Sequence, residues 1–194
     1  MAETINASED ANLDTEAMRR LASGDDRALT EIMERWKKRL IAYLLRFTGS
    51  EVVAVDLAQE TFVQLYQARA RYRSNGSARC FSTWLFGIAA NLGRNHLRWQ
   101  GRHPTLPLEE AGEPASSDDP SLCAEAQERS RAVQGAVAGL ASDLREALIL
   151  SEHEGLSHAE IGVIAGCSVK AVERRLAHAR EQLRKELSRY LKGN

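Results

Sequence analysis

The sequence predicts an all-α protein made of two small helical domains, and three observations carry this prediction. Apolar residues recur at three- and four-residue steps wherever a period is clear, and no run shows the two-residue alternation of a strand. All four prolines fall between Pro104 and Pro120, in a stretch that also carries five carboxylates. The chain of 194 residues is long enough for a modest core on each side of that stretch.

The first domain is expected over residues 14–102 and should contain four helices. Asp14 can cap the first helix, and Asp25 or Asp26 can cap the second, whose apolar face continues for nearly five turns. A third helix is expected over about 52–70. The fourth helix should carry the following apolar side chains at helical spacing: Phe81, Leu85, Ile88, Leu92 and Trp99.

Residues 103–120 are predicted to form a flexible acidic linker, because proline removes backbone donors and neighbouring carboxylates repel one another. The second domain then covers residues 121–192. Ser157 and Glu160 have the spacing of a capping box at the start of a short helix. Gly166 turns the chain and a long basic helix follows, which is the pattern of a DNA-binding helix-turn-helix. The alternative is a generic helical hairpin.

A net charge of −1 conceals an uneven distribution of charge along the chain. Residues 1–68, 69–102, 103–143 and 144–194 carry −4, +7, −6 and +2 respectively. The second of these segments has seven arginines, no acidic residue and five large aromatics. Arginine binds phosphate, and aromatic rings stack on unpaired bases. This segment is therefore predicted to bind nucleic acid. The alternative is that the arginines are simply solvated and that the aromatic side chains belong to the core.

Polar side chains of the fourth helix form a narrow stripe. Asn91, Arg94 and Arg98 share one face at helical spacing, with Asn95 at its edge. Asparagine and arginine are the side chains that make paired hydrogen bonds to base edges. The stripe predicts a helix that reads DNA, although an ordinary solvated face has the same pattern.

Three segments, in order, identify a family resemblance. They are Asp56 to Phe62, Phe81 to Arg98, and Leu156 to Arg180. Together they resemble the polymerase-binding helix, the −10 element helix and the −35 reading domain of bacterial sigma factors of the sigma-70 family, extracytoplasmic function group. The resemblance extends from about Asp14 to Leu187.

The resemblance implies a protein that binds core RNA polymerase and directs transcription from promoters of a stress or envelope-type regulon, under control of a cognate anti-sigma factor. The implied polymerase-binding residues are Asp56, Gln59, Glu60, Phe62 and Gln67. Those implied for the unpaired −10 strand are Arg79, Trp84, Asn91, Arg94, Asn95 and Arg98. Those implied for the −35 duplex are Ser168, Lys170, Ala171, Arg174, Arg175 and His178.

The sequence predicts no enzyme, no cofactor and no metal site. His153 and His158 lie about 140° apart around a helix, and Gly155 interrupts that helix, so a zinc-peptidase pair is not formed. Three cysteines without a C-x-x-C spacing indicate reduced thiols. No apolar run approaches the roughly 18 residues of a membrane span, so we expect a cytoplasmic protein without membrane insertion.

Two other classes of protein fit part of the pattern. A stand-alone helix-turn-helix regulator would bind duplex DNA as a dimer and would have no use for Trp84 or for the polar face after Asp56. An adaptor would bind polymerase without touching DNA, and the acid-free segment 69–102 argues against it.

Overall fold

The computed structural model describes residues 2–72, 80–103 and 120–191, with side chains described within 12–72, 81–103 and 128–188. Regular structure in these parts is helical throughout, which confirms the all-α prediction. None of the described helices is long and apolar enough to cross a membrane. The α-helices are α1 Ala2–Ala22, α2 Arg27–Thr48, α3 Glu51–Ala68, α4 Cys80–Arg102, α5 Pro120–Ala138, α6 Ser142–Glu152, α7 His158–Ala165 and α8 Val169–Leu191.

Local signals fix the ends of the helices in the first domain. Gly49 adopts the left-handed conformation at φ 80° and ends α2. Ser50 then caps α3, since its side chain accepts from the backbone N–H of Val53. The Asp25 carboxylate accepts from the backbone N–H of Arg27 at 3.2 Å, at the start of α2.

The prediction that Asp14 caps the first helix is wrong, because α1 begins at Ala2 and Asp14 lies in its interior. Its side chain is only 4% exposed. The carboxylate accepts from the indole Nε1 of Trp36 at 3.0 Å and from Nε of Arg35 at 3.0 Å. Asp14 therefore ties α1 to α2 through a buried, charge-assisted contact.

The core of the first domain is a cluster of aromatic rings between α2 and α4. Trp36 meets Phe81 and Phe86 edge to face, at ring-centroid distances of 5.5 and 6.0 Å. Trp99 lies outside this cluster. It is 49% exposed in the last turns of α4, where its ring stacks on His103.

The second domain begins with α5, a helix that was not predicted from the sequence. It packs against α8. The predicted capping box at α7 is confirmed, with both the Ser157 and Glu160 halves formed. Gly166 ends α7 in the left-handed conformation at φ 63°. The Ser168 hydroxyl then accepts from the N–H of Ala171 at 3.3 Å, so that α8 starts directly after the turn.

The second domain has a small core cluster of its own around Leu144 and Ala179, and the two domains also share a larger hydrophobic core. α6 packs against α2, and α7 packs against α4. The reason lies in α6, whose five consecutive residues from Glu146 to Leu150 are all buried, so that this helix is covered on more than one face. α4 ends at Arg102 and α5 begins at Pro120, the residues that bracket the predicted linker, while residues 104–119 lie outside the described residues.

Gly162 is the tightest point of the helix-turn-helix. A Cβ atom there would lie 2.8 Å from the carbonyl oxygen of Cys167, which is backbone and cannot turn aside. We expect Gly162→Ala to lower the free energy of unfolding by about 2 kcal/mol, as in other overpacked sites. Gly135→Ala, where a Cβ meets nothing within 4 Å, should be neutral or stabilising. Equal urea midpoints for the two variants would contradict this account.

Candidate nucleic-acid and polymerase interfaces

A groove of about 630 Å³ runs between α2 and α3. Gln59, Phe62 and Gln67 of the predicted polymerase set line it, together with apolar side chains of α2 such as Met33 and Ile41. Phe62 is buried and forms part of the groove wall, whereas Gln59 and Gln67 are exposed.

Asp56 and Glu60 lie on the exposed side of α3, one helical turn apart. The Glu60 carboxylate accepts from the Gln64 amide at 3.1 Å. Neither carboxylate is buried in the core, so both are accessible to a partner that covers α3.

The residues of the predicted −10 stripe of α4 lie in different surroundings: some are exposed to solvent and others contact neighbouring helices. Asn91, Asn95 and Arg98 are exposed, and Arg98 donates to the side-chain oxygen of Asn95. Trp84 is half-buried against the ring of Tyr72, with centroids 5.2 Å apart. Arg79 lies outside the described residues.

Arg94 of this stripe faces the second domain. Its guanidinium donates to the Glu146 carboxylate of α6 and, at 3.4 Å, to the carbonyl oxygen of Ile164 in α7. Beside it, a cleft of about 710 Å³ separates α4 from α7, with Trp84 and Asn91 among the residues that line it. The structure thus brings part of the predicted −10 set against the helix-turn-helix.

The outer face of α8 carries most of the predicted −35 set. Lys170, Arg174 and His178 are exposed at four-residue intervals, as a helix that enters a groove requires. Ser168 and Ala171 form the start of the same helix through their cap contact.

Arg175 differs from these neighbours, because its side chain is 26% exposed and turned toward the domain interior. Its Nε lies 3.2 Å from the Asp143 carboxylate, and its Nη1 lies 3.6 Å from Sγ of Cys167. Arg175 therefore links α8 to the start of α6 and to the turn.

A second arginine, Arg39, joins the domains, and this contact was not predicted from the sequence. Arg39 of α2 donates to the Glu154 carboxylate at 2.6 Å and to the Glu154 carbonyl oxygen at 3.0 Å. Its guanidinium also lies over the rings of Trp36 and Phe86, at 5.0 and 5.6 Å from the centroids. Glu146 and Glu154 are only 2% and 6% exposed. The available signal was Glu146 directly before the apolar run Ala147 to Leu150 of α6, since a carboxylate buried beside such a run needs a partner.

Burial raises the pKa of the Glu146 carboxyl to about 7. The positive charges of Arg94 and Arg175 lower this pKa, and the negative charge of Asp143 raises it further, but burial has the largest effect. Since this pKa is above that of the unfolded chain, Glu146 binds its proton more tightly in the folded state. The stabilisation that comes from this tighter proton binding is complete below about pH 4.5, and it is lost as the pH rises through about 7.

Glu146→Gln should remove this loss, because the amide cannot ionise and still offers an oxygen to Arg94. We expect the free energy of unfolding of the variant, relative to wild type, to rise by about 3 kcal/mol between about pH 5 and about pH 8. Urea titrations of both proteins across this range measure the difference. A difference that is independent of pH would show that Glu146 does not titrate there.

Two family models match the chain, one in each domain. Sigma-70 region 2 matches residues 32–103, and Sigma-70 region 4 matches residues 130–183. The first match contains the groove and the α4 stripe, and the second contains the helix-turn-helix.

Curated relatives match over most of their length. RNA polymerase sigma-H factor of Pseudomonas aeruginosa is 32% identical over 188 residues, covering 92% of this chain and 96% of that protein. ECF RNA polymerase sigma-E factor of Escherichia coli K12 is 31% identical over 173 residues, covering 84% and 88%.

Two solved structures share the fold. One is CnrH in complex with the cytosolic domain of CnrY, at a TM-score of 0.68 and 27% identity, covering 91% of this chain and 97% of that one. The other is the sigma factor RpoE in complex with the anti-sigma factor NepR from Bartonella quintana, at a TM-score of 0.66 and 22% identity, covering 82% and 96%.

Proposed function

This chain belongs to the sigma-70 family of sigma factors, in its extracytoplasmic function group, and on that premise we propose that it directs core RNA polymerase to specific promoters. Its role is non-catalytic, and it acts in the cytoplasm, where the polymerase works. The first domain binds the polymerase and the unpaired −10 strand, and the second domain binds the −35 duplex.

One observation carries the proposal: two different surfaces, each suited to a different form of DNA, lie on one chain. α4 exposes asparagine and arginine beside half-buried aromatic rings, which suits unpaired bases. α8 exposes Lys170, Arg174 and His178 after a tight turn, which suits a major groove. A regulator that reads only duplex DNA needs the second surface alone.

The groove between α2 and α3, with Asp56 and Glu60 beside it, is the surface we assign to core polymerase. An apolar channel bordered by exposed carboxylates suits a partner helix with a basic rim. We also assign an anti-sigma factor as the inhibitory partner, in line with the RpoE–NepR complex of the same fold.

Transcription by purified core polymerase, with and without this protein, on a library of promoters tests the proposal. We expect sequence-specific initiation only when the protein is present. Asn91→Ala should impair initiation on duplex promoters, and impair it less on templates already mismatched across the −10 region, because the unpairing cost has been removed. Binding of the protein to palindromic duplex DNA without polymerase dependence would instead favour a stand-alone regulator.

A further inference from the structure

The recognition helix α8 carries an exposed carboxylate among its basic side chains. Glu173 is the fifth residue of α8, it lies between the exposed Lys170 and Arg174, and its side chain is 55% exposed. A negative charge on a helix face that approaches DNA is repelled by the phosphates and weakens binding to every sequence. Its presence at this position therefore needs a compensating interaction, either within the protein or with the DNA.

The contact that Glu173 makes within the protein is too weak to compensate. Its Oε1 lies 3.8 Å from Nδ1 of His158, the first residue of α7, and this distance is longer than a hydrogen bond. The His158 side chain is also 43% exposed, and exposed pairs contribute little to stability. Other carboxylates of the second domain have closer partners: Asp143 with Arg175, Glu146 with Arg94, and Glu152 with Arg180. The Glu173 oxygens are thus accessible to a partner outside the chain.

Helical geometry places Glu173 at one edge of the surface that would enter the major groove. Glu173 and His178 lie about 140° apart around the axis of α8, with Lys170, Arg174 and Ala177 between them. Ala177 is exposed and short, so it leaves room for the helix to approach the bases closely. The N-terminal residues of a recognition helix are those that contact base edges. Glu173, in the second turn of α8, lies within that part of the helix.

We propose that Glu173 recognises one base pair of the −35 element, by accepting a hydrogen bond from the exocyclic amino group of a cytosine in the major groove. This inference rests on the proposed function. An ionised carboxylate has only acceptors, and cytosine presents the N4 donor in this groove. Guanine O6 and thymine O4 are acceptors and repel the carboxylate. Adenine presents the N7 acceptor beside its N6 donor, so it suits an amide better than a carboxylate.

Selection of promoters by the holoenzyme, from a library randomised across the −35 element, tests this contact. Wild type should prefer cytosine at one position by about five- to tenfold, the lower part of the range for a specific base contact. Glu173→Gln should shift the preference at that position to adenine, because an amide pairs with N6 and N7 together. Glu173→Arg should shift it to guanine, which offers N7 and O6 as acceptors. The preferences at the other positions should stay as in wild type.

The matched controls are Glu186→Gln and Glu186→Arg, which make the same changes of charge at another exposed glutamate of α8. Glu186 lies about 20 Å further along the helix axis, so both controls should leave every base preference unchanged. His158→Ala removes the contact within the protein and should keep the cytosine preference within about twofold of wild type. Circular dichroism melting of each variant checks that the fold is retained. Glu173→Gln is close to isosteric and decides the question if Glu173→Arg unfolds.

Four outcomes separate the possible roles of Glu173. Base preferences that both Glu173 variants leave unchanged, or alter equally at all positions, would overturn the base contact. A loss of the cytosine preference that His158→Ala reproduces would show that the pair positions α8 and that Glu173 contacts no base. Wild-type holoenzyme that initiates at specific promoters without a cytosine preference on either strand would also overturn the inference, while the proposed function would stand. Absence of sequence-specific initiation by wild type would overturn the proposed function itself.

Discussion

Reversing both Asp56 and Glu60 to arginine should weaken binding to core RNA polymerase by at least about tenfold, which is the largest effect we expect at a protein interface of this chain. Both carboxylates are exposed on α3 beside the apolar groove, so their charge serves a partner rather than the fold. For the same reason the melting temperature should change little, as for most surface substitutions. Fluorescence anisotropy of labelled protein titrated with core enzyme measures the affinity.

The matched control is Glu128→Arg with Glu152→Arg, which makes the same total charge change at exposed positions of the second domain. Its affinity for core enzyme should stay within about twofold of wild type. Equal affinities for the α3 variant and this control would remove α3 from the polymerase interface.

Arg174→Ala should cost about 1 to 3 kcal/mol of promoter binding by the holoenzyme and relax the preference at one position of the −35 element, if the side chain reaches a base edge. A uniform loss over all sequences would instead identify a phosphate contact. Arg184→Ala is the control, since Arg184 is also exposed on α8 but lies beyond its first turns and pairs with Glu181.

Arg175→Ala should have a different effect from Arg174→Ala, although the two residues are neighbours in the sequence. Its guanidinium is engaged by Asp143, whose side chain is half-exposed, so we expect a loss of stability below about 1 kcal/mol. We also expect a smaller change in base preference than for Arg174→Ala. A larger specificity change for Arg175→Ala would mean that the Asp143 contact breaks when DNA binds.

Signals confined to a few neighbouring residues allowed much of the fold to be predicted. Ser157 and Glu160 specify the start of α7 by their spacing alone, and Gly166 specifies its end, because each acts within one helical turn. The exposed face of α8 follows from helical periodicity in the same way.

Features that depend on packing between distant segments were predicted less well. Arg94 sits in a polar stripe by sequence, yet its surroundings are set by Glu146, 52 residues further along the chain. Asp14 has the residue type of a helix cap, but a longer helix and the indole of Trp36 gave it a different role. Trp99 fits the apolar period of α4, but about half of its surface is exposed. Sequence periodicity places a side chain on a face and does not say what covers it.

Because Arg39 lies over the indole of Trp36, intrinsic tryptophan fluorescence reports on the contact between Arg39 and Glu154. The guanidinium that holds Glu154 lies 5.0 Å from the Trp36 ring, whereas Trp99 stacks on His103 at the far end of α4. Indole emission depends on nearby charge, so a change in the contact with Glu154 alters the signal of Trp36. Trp84 lies in the cleft between α4 and α7 and reports on the same contact between the domains, so replacing Trp84 and Trp99 by Phe isolates the Trp36 signal. A change in the Arg39–Glu154 contact on addition of polymerase or an inhibitor should therefore be visible by stopped-flow fluorescence without a label.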